Sequence, residues 1–267
     1  MTEEPPVDPV THDHLVTDLR RLGVEAGMIL LVHASLSRLG WVVGGTQTVT
    51  EALLETLGPS GTLMMPAHSA DWSEPSHWRH PPVPPETWDL VRDTMPAWDA
   101  ERSRTRAMGA IAEAFRRWPG VQRSRHPQTS FTALGPAGQA LLEGHQPGDA
   151  FGDTSPLGRL YDLDGHVLLL GVGHGNNSSL HLAECRSDWP GKTWHEEGAA
   201  MRVDGERRWQ RFTELKFDDD DFGELGDAYE QTERGVRVGT VGSAESRLFR
   251  QRPLVDWAVT WLTDHRR

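Results

Sequence analysis

The chain is poor in cysteine, in positive charge and in long apolar runs, and each shortage excludes a class of protein. Cys185 is the single cysteine among 267 residues, which excludes an internal disulfide framework and suits a reducing compartment. Lysine and arginine number 27 against 39 aspartates and glutamates, for a formal net charge of −12. This balance disfavours nucleic acids and anionic membranes as partners, because both bind basic surfaces. No apolar run approaches the roughly 20 residues of a membrane span, and the acidic first residues lack a signal core, so we expect a cytoplasmic protein.

Apolar runs alternate with amphipathic segments along the chain, which predicts an α/β or α+β protein. Leu15, Leu19 and Leu22 recur at helical spacing, as on one face of a surface helix. Residues 28–35 and 167–172 are short and almost continuously apolar, as is typical of strands that are covered on both faces. We therefore predict a mixed, largely parallel central sheet flanked by helices.

The distribution of proline and tryptophan suggests how the chain is divided. Residues 1–10 read as a flexible, proline-rich lead-in, and residues 11–267 as a single domain. Within that domain, residues 67–100 contain many prolines and four tryptophans. They form either a functional loop or a rigid, proline-stiffened surface loop. Residues 199–215 are predicted to form a hairpin that turns at Asp204-Gly205.

Residues 168–184 are the best candidate for chemistry in the sequence. An apolar run ends in glycines and His174, a small polar turn follows, and an apolar segment then carries His181 and Glu184. This order predicts a buried strand, a tight loop and the start of a helix. Such a junction places polar side chains at the carboxyl end of a sheet, where open α/β proteins commonly bind ligands.

His181 and Glu184 have the spacing of a general base and its orienting carboxylate. If Ser178 or Ser179 caps the helix, His181 lies in the first turn and Glu184, three residues on, shares its face. The positive end of a helix disfavours a protonated imidazole, and a neutral ring can accept a proton. A carboxylate bonded to the other ring nitrogen would fix the tautomer.

Three other readings of these residues stay open at this point. His174 beside glycines could be a turn histidine bonded to backbone. His174, His181 and Glu184 could bind a metal with His126 as a further ligand, although the spacing matches no standard zinc motif. Cys185, four residues after His181, could be an acyl-accepting nucleophile or could simply pack in the helix.

Five segments together resemble the aminoglycoside 3-N-acetyltransferase family. They are residues 32–40, 42–49, 61–66, 123–131 and 168–184. The match runs from about residue 12 to residue 262 and so covers nearly the whole chain. Each segment is weak alone, whereas the ordered set is specific.

The resemblance implies an antibiotic N-acetyltransferase-like fold, which is distinct from the common GNAT acetyltransferases. It implies acetyl-CoA as co-substrate, no metal, and direct acetyl transfer to the 3-amine of the 2-deoxystreptamine ring, which inactivates the antibiotic. The partners would be coenzyme A and a cationic aminoglycoside, and the protein could be a monomer or a homodimer. An acidic protein suits a polycationic substrate.

The resemblance also implies roles for particular residues. His181 corresponds to the general base, and Glu214 is expected to support it or to hold the substrate. We expect an acidic cleft and a neighbouring histidine to hold the substrate, and backbone N–H groups of residues 43–45 to stabilise the reaction's oxyanion. The residues expected to bind coenzyme A are Ser35, Leu36, Val43, Gly44 and Gly45, with Met108, Gly109, Ser124 and His126 as further members. Those expected to bind the substrate are Asp71, Glu74, His174, Glu184 and Asp218.

Two other functions remain as alternatives. Lys216 stands where many relatives have a second acid after Glu214, so the acceptor could be a different amine, such as a biosynthetic intermediate. A zinc-dependent hydrolase, or a metal-binding protein without turnover, could instead be built on His126, His174, His181 and Glu184.

Overall fold

The structure, a computed structural model, describes residues 8–232 and 235–267. Over these residues the strands are β1 (Ile29–Ala34), β2 (Thr62–Pro66), β3 (Gln122–Arg123), β4 (Phe131–Leu134), β5 (His166–Leu170), β6 (Trp194–Val203), β7 (Glu206–Leu215), β8 (Arg237–Val241) and β9 (Ala244–Arg250). The helices are α1 (His12–Leu22), α2 (Thr46–Leu57), α3 (Trp88–Thr94), α4 (Gly109–Arg116), α5 (Gly138–Leu142), α6 (Pro156–Asp162), α7 (Ser179–Arg186), α8 (Phe222–Glu230) and α9 (Gln251–His265). Short 3-10 helices span Leu36–Leu39, Pro75–His77, Pro85–Thr87 and His174–Asn176.

The main sheet has seven strands in the order β3-β4-β2-β1-β5-β9-β8. β1 pairs in parallel with β2 and with β5, whereas the outer strands add antiparallel neighbours. The predicted mixed sheet flanked by helices is confirmed. The expectation that it is largely parallel holds only for the three central strands, because β4 and β9 return against their neighbours.

Helices cover both faces of the central strands. Successive side chains of a strand point to opposite faces, so Leu30 and Val32 pack in one apolar cluster and Leu31 in another. The first cluster takes side chains from α1, α2 and α4, and the second from α5 to α9. Burial on both faces explains why β1 has no polar face along its length.

Local signals set the bounds of α1. Thr11 Oγ1 accepts a hydrogen bond from the His14 backbone N–H at 3.3 Å. Gly23 ends the helix with φ 107° and donates to the carbonyls of Leu19 and Arg20. Just before α1, the buried Val10 bridges to Val42. The rest of the predicted lead-in, residues 1–7, lies outside the described residues.

The three parallel strands end at one edge of the sheet. The segments after β1, β2 and β5 therefore begin side by side, and the Ser35 N–H donates to the Leu170 carbonyl at 3.0 Å across this edge. Ligands of open α/β sheets bind beyond the carboxyl ends of the strands. A ligand-binding site is therefore expected at this edge.

The hairpin and the proline-rich segment pack against each other beside the main sheet. β6 and β7 pair from Trp194 to Val203 around the Asp204-Gly205 turn, which confirms the predicted hairpin and lengthens it. The Trp98 N–H of the 67–100 segment donates to the Ala200 carbonyl at 2.7 Å. In the described part of the chain, no helix combines the length and apolarity needed to cross a membrane.

Candidate active site

A cavity of about 1500 Å³ opens at the carboxyl edge of β1, β2 and β5. Its wall is formed by the segments after these strands, by the start of α4 and by the first turn of α7. The residues predicted to take part in catalysis or coenzyme A binding that do line it are Ser35, Leu36, Gly45, Met108, Gly109 and His181.

His181 lies in the first turn of α7 and is bonded to Glu184. Its Nδ1 lies 2.5 Å from Glu184 Oε2. An ionised carboxylate only accepts hydrogen bonds, so Nδ1 carries the hydrogen and Nε2 carries the lone pair of the neutral ring. Over the described residues no protein group bonds to His181 Nε2, and the side chain is 15% exposed. The arrangement therefore presents a basic nitrogen to the cavity.

The cap of this helix differs from the one expected. Ser178 and Ser179 make no capping bond through their side chains at the start of α7. The Asn177 side-chain oxygen instead accepts from the Ser179 N–H at 3.2 Å. The position of His181 in the first turn is nevertheless the predicted one.

The C-terminal segment also binds the carboxylate of Glu184. Its side chain is fully buried, and Oε1 accepts from Arg266 Nη1 at 2.5 Å and from the Asp218 N–H at 3.0 Å. Arg266 also forms two bonds to the Asp221 carboxylate. Burial opposes the charge of Arg266, but the hydrogen bonds of Asp221 and Glu184 raise the pKa of its guanidinium. Glu184 therefore lies behind His181 with both carboxylate oxygens bonded to protein groups, and its expected contact with the substrate stays a prediction.

Aromatic rings fix the plane of the His181 imidazole. Phe151 stacks on it, with ring centroids 4.5 Å apart and an interplanar angle of 12°. Phe217 and Phe222 contact the ring at 5.1 and 4.8 Å. Together with the Glu184 bond, these contacts leave the ring little rotational freedom.

Two further histidines line the cavity, and the sequence did not single them out. His33 is the penultimate residue of β1, and His68 lies two residues beyond β2. The Nε2 of each ring is buried and has no hydrogen-bond partner. Burial, together with the nearby His181, lowers the pKa of each ring to about 3. Both rings are therefore uncharged at neutral pH and can each offer one N–H to a ligand.

The low pKa of His33 predicts a loss of stability in acid. The unfolded chain binds a proton near pH 6.5 and the folded chain only near pH 3, so stability falls as pH drops through this interval. For one such histidine the loss between pH 7.5 and 5.5 is about 1.4 kcal/mol. The free energy of unfolding is measured in urea at both pH values. Between pH 7.5 and 5.5 it should fall by about 1.4 kcal/mol less in His33→Gln than in the wild type. An identical pH dependence in the variant would contradict the assignment.

The start of α4 presents backbone N–H groups to the cavity. Ala107 and Gly109 have φ of 59° and 81° and flank the right-handed Met108. Alternating left- and right-handed residues form a concave set of N–H groups that binds anions. In the described part of the chain no acceptor bonds to the N–H of Met108 or Gly109. These groups are available to an anionic ligand.

The glycine turn before α2 offers fewer free backbone N–H groups than expected. The N–H groups of Val43 and Gly45 already donate to the carbonyls of Val10 and Val42, at 3.0 Å each. These two groups are therefore not available as oxyanion donors. The N–H of Gly44 has no acceptor among the described residues, and its expected role stays a prediction. Val43 and Gly44 do not line the cavity, and their contact with coenzyme A stays a prediction.

Ser124, His126 and Glu214 belong to a separate buried cluster. His126 Nδ1 accepts from the N–H groups of Gln128 and Thr129, so Nε2 carries the hydrogen and donates to Glu214 Oε1 at 3.0 Å. Ser124 bonds to the ring of His145 at 2.9 Å. All three residues are at most 4% exposed, and none lines the cavity. The structure thus places all three off the cavity, and their expected roles in coenzyme A binding and catalysis stay predictions.

Glu214 is nevertheless connected to the site indirectly, through a neighbouring segment. Its carboxylate accepts from the N–H of Gly148 at 2.8 Å and of Ala150 at 3.2 Å. These bonds fix the segment that ends in Phe151, the ring stacked on His181. Glu214 is thus connected to the ring of His181 through this segment and does not contact it directly.

Several predicted substrate residues lie off the cavity. His174 is buried, and its Nε2 bonds to Glu230 at 3.1 Å. Glu74 is 4% exposed and paired with Arg92, so both side chains are buried and already bonded to protein groups, and their expected contact with the substrate stays a prediction. Asp71 is paired with the exposed Arg106, and Asp218 is exposed in the loop before α8. Roles for these two aspartates stay predictions, and the acids that do line the cavity are Asp219 and Glu245.

The predicted metal ligands are not brought together. Each histidine of the set bonds to a different carboxylate, His126 to Glu214, His174 to Glu230 and His181 to Glu184. A zinc site on these four residues is therefore not formed in this fold.

Cys185 is unsuited to act as a nucleophile. Burial raises the pKa of its thiol well above the ordinary value, whereas a nucleophilic cysteine needs a lowered one. Cys185→Ser should therefore keep kcat for acetyl transfer within about threefold of the wild type, since only packing is disturbed. Steady-state rates of both proteins test this, with Cys185→Ala as a second variant. A folded but inactive serine variant, or an acetylated wild-type protein on mass spectrometry, would restore the acyl-cysteine route.

A histidine base paired with a buried carboxylate, at the mouth of a mixed α/β sheet, is typical of an enzyme. The aminoglycoside 3-N-acetyltransferase family model matches residues 31–263. The chain is 42% identical over 258 residues to the SPbeta prophage-derived aminoglycoside N(3')-acetyltransferase-like protein YokD of Bacillus subtilis (strain 168), covering 96% of this chain and 94% of YokD. It is 39% identical to aminoglycoside N(3)-acetyltransferase VII of Streptomyces paromomycinus, covering 96% and 92%. The chain belongs to the aminoglycoside 3-N-acetyltransferase family and is an acyltransferase.

Solved structures of relatives confirm the fold. The crystal structure of YokD superposes with a TM-score of 0.94 and covers 97% of this chain and 95% of YokD. The binary complex of AAC-IIIb with CoASH has a TM-score of 0.85 at 29% identity and covers 96% and 97% of the two chains. AAC-VIa bound to sisomicin has a TM-score of 0.87 at 28% identity and covers 97% and 99%. The predicted antibiotic N-acetyltransferase-like fold is thereby confirmed.

Proposed function

We propose that this protein transfers the acetyl group of acetyl-CoA directly to the 3-amine of the 2-deoxystreptamine ring of aminoglycosides, with His181 as general base. The observation that carries the proposal is the His181–Glu184 pair at the wall of the large cavity. Family membership supports the reaction class. The CoASH complex of AAC-IIIb and the sisomicin complex of AAC-VIa support the two ligands.

His181 removes the proton that the reacting amine must lose. Aminoglycoside amines are mostly protonated at neutral pH, and an ammonium group has no lone pair with which to attack a thioester. The ammonium first releases one proton to solvent. Nε2 of the neutral ring then accepts a second proton from the free amine as it attacks the thioester carbonyl, and Glu184 stabilises the resulting imidazolium through Nδ1. The carbon–sulfur bond then breaks and the imidazolium returns this proton to the departing thiolate of coenzyme A, so no covalent enzyme intermediate is needed.

Cations and backbone N–H groups of the cavity suit coenzyme A. Arg38 lines the wall and, among the described residues, forms no ion pair, which leaves its charge available to a phosphate. The N–H groups of Met108 and Gly109 supply a second anion-binding feature. Ser35, Leu36 and Gly45 complete the predicted binding set that lies on the cavity.

Uncharged donors at the cavity wall suit the oxygen of the acyl group. The rings of His33 and His68 lack partners for their Nε2 atoms, and each can present one N–H without bringing a charge. Donors already in place where negative charge develops lower the barrier to acyl transfer. We assign this role to these two rings in place of the occupied N–H groups of Val43 and Gly45.

Acidic side chains on the cavity suit a polycationic acceptor. Asp219 and Glu245 line it, and the net charge of −12 favours the approach of a cation. Lys216, which prompted the alternative of another amine, is exposed and lies off the cavity. The structure therefore provides no contact through which Lys216 would exclude aminoglycosides.

A panel assay separates the proposed acceptor from other amines. Release of the coenzyme A thiol from acetyl-CoA is measured with several 2-deoxystreptamine aminoglycosides. Turnover with at least one member is the expected result. Coenzyme A binding without turnover on any member would favour a different amine, and activation by added zinc with inhibition by chelators would favour a metal-dependent reaction.

A further inference from the structure

A group of metal-ligating side chains lies outside the cavity, where the 67–100 segment meets the hairpin. His77 ends the 3-10 helix Pro75–His77 of that segment, and His195 and Glu197 lie on β6. None of the three lines the cavity. The acetyl-transfer reaction described above makes no use of them.

The three side chains converge on one point. His77 Nδ1 lies 2.8 Å and His195 Nε2 3.8 Å from the same oxygen, Glu197 Oε1. One ligand atom from each residue lies within 4.8 Å of the other two. Zinc binds imidazole nitrogen and carboxylate oxygen at about 2.0–2.2 Å, which spaces tetrahedral ligand atoms about 3.4 Å apart. The two nitrogen–oxygen distances, 2.8 and 3.8 Å, lie within about 0.6 Å of that spacing.

The carboxylate of the group is fixed for this use. Glu197 is buried, and its Oε2 accepts from the Glu74 N–H at 3.1 Å, from Gln128 Nε2 at 3.1 Å and from the Gly198 N–H at 3.2 Å. These donors occupy Oε2 and direct Oε1 at the two imidazoles. Hydrogen bonds that orient a ligating carboxylate are a common part of metal sites.

The backbone also suits a shared ligand. Residues 195 and 197 are two apart on a strand and so lie on one face of β6. His77 reaches the same point from a segment more than a hundred residues earlier in the chain. The hydrogen bond to Glu197 explains the position of the His77 ring. His195 lies too far from Oε1 for a hydrogen bond, so its position is not explained in this way.

We propose that His77, His195 and Glu197 bind one divalent zinc-class cation, which ties the 67–100 segment to the hairpin. Two imidazoles and one carboxylate are ligands that zinc prefers, and water would complete a tetrahedral set. The two rings are stacked, with centroids 4.9 Å apart and an interplanar angle of 3°. Binding requires them to turn toward a common point, which side-chain exposures of 35% and 34% permit.

The test uses the full chain without an affinity tag, stripped with a chelator and titrated with Zn²⁺ and Co²⁺. We expect one equivalent of either ion to bind, a rise in Tm with Zn²⁺, and visible absorption bands of tetrahedral Co²⁺. His77→Gln and His195→Gln should each weaken zinc binding at least about tenfold. His265→Gln is the matched control, because His265 is also a stacked histidine, on Trp261, but among the described residues its ring bonds to a backbone carbonyl and forms no ion pair with a carboxylate.

Two outcomes would overturn the proposal. One is the absence of any stoichiometric binding by the wild type. The other is binding that survives unchanged in both His77→Gln and His195→Gln, which would place the ion elsewhere. Since both glutamine variants replace partly exposed side chains, they should fold, and their far-UV spectra check this. The readouts are independent of acetyl transfer, so failure of either proposal leaves the other testable.

Discussion

Replacing His181 with alanine is expected to lower kcat for acetyl transfer by about 10²- to 10⁴-fold while coenzyme A still binds. The variant loses the histidine that, among the described residues, the cavity places beside a buried carboxylate, whereas the coenzyme A contacts assigned to Arg38 and the start of α4 are untouched. Steady-state thiol release gives kcat, and calorimetry with coenzyme A gives the retained affinity.

A matched control separates chemistry from folding. His174→Asn removes another histidine bonded to a glutamate, but this one does not line the cavity. This variant should lower the free energy of unfolding, whereas kcat per folded molecule should change little. Near-normal kcat in His181→Ala would remove His181 from the mechanism, as would a loss equalled by His174→Asn at full folding.

The second large effect is expected at Glu184, where activity and stability can be separated. Glu184→Gln keeps the shape and an acceptor for Arg266 but removes the charge that fixes the His181 tautomer. We expect kcat to fall about 10²-fold or more in this variant. Glu184→Ala leaves a buried guanidinium without one of its two carboxylates and should also lower the free energy of unfolding by about 3 kcal/mol.

Urea unfolding and steady-state kinetics on both variants test this expectation. Asp153→Asn is the control, because Asp153 pairs with Arg186 of the same helix while remaining 73% exposed. An exposed pair contributes little to stability, so this variant should resemble the wild type in both measurements. If Glu184→Gln retains full activity, the carboxylate does not orient the base.

The parts of the fold predicted correctly are those governed by neighbouring residues. Thr11 and Gly23 bound α1 through contacts three or four residues away, and Asp204-Gly205 turns a hairpin between adjacent strands. β9 was not predicted, because the charges of Glu245 and Arg247 mask its apolar face. Its antiparallel pairing with β5 bridges about eighty residues, a distance at which spacing carries no signal.

In the candidate site, too, a contact between residues close in sequence was predicted, whereas contacts between distant residues were not. His181 and Glu184 are three residues apart on one helix, so their contact follows from helical geometry. The buried Glu184 also bonds to Arg266, 82 residues further along the chain, and no local spacing indicates this partner. His33 and His68 meet at the cavity because β1 and β2 pair in parallel. A polar residue at the end of an otherwise apolar strand was the one available sign of His33.

Ser124, His126 and Glu214 show the limit of carrying roles over from resemblance. Their motifs match, yet His126 bonds to Glu214, Glu214 to backbone N–H groups and Ser124 to His145, and none of the three lines the cavity. Resemblance identifies residues that a family retains. It does not distinguish a ligand contact from a buried support such as the ordering of the Phe151 segment.

Identification of the reaction product tests the proposed acetyl transfer. A 2-deoxystreptamine aminoglycoside is incubated with acetyl-CoA and the protein, and the product is analysed by mass spectrometry and two-dimensional NMR. We expect a single added acetyl group on the 3-amine, formed by the wild type and not, over the same time, by His181→Ala. Acetylation at another amine, or equal product from His181→Ala, would contradict it.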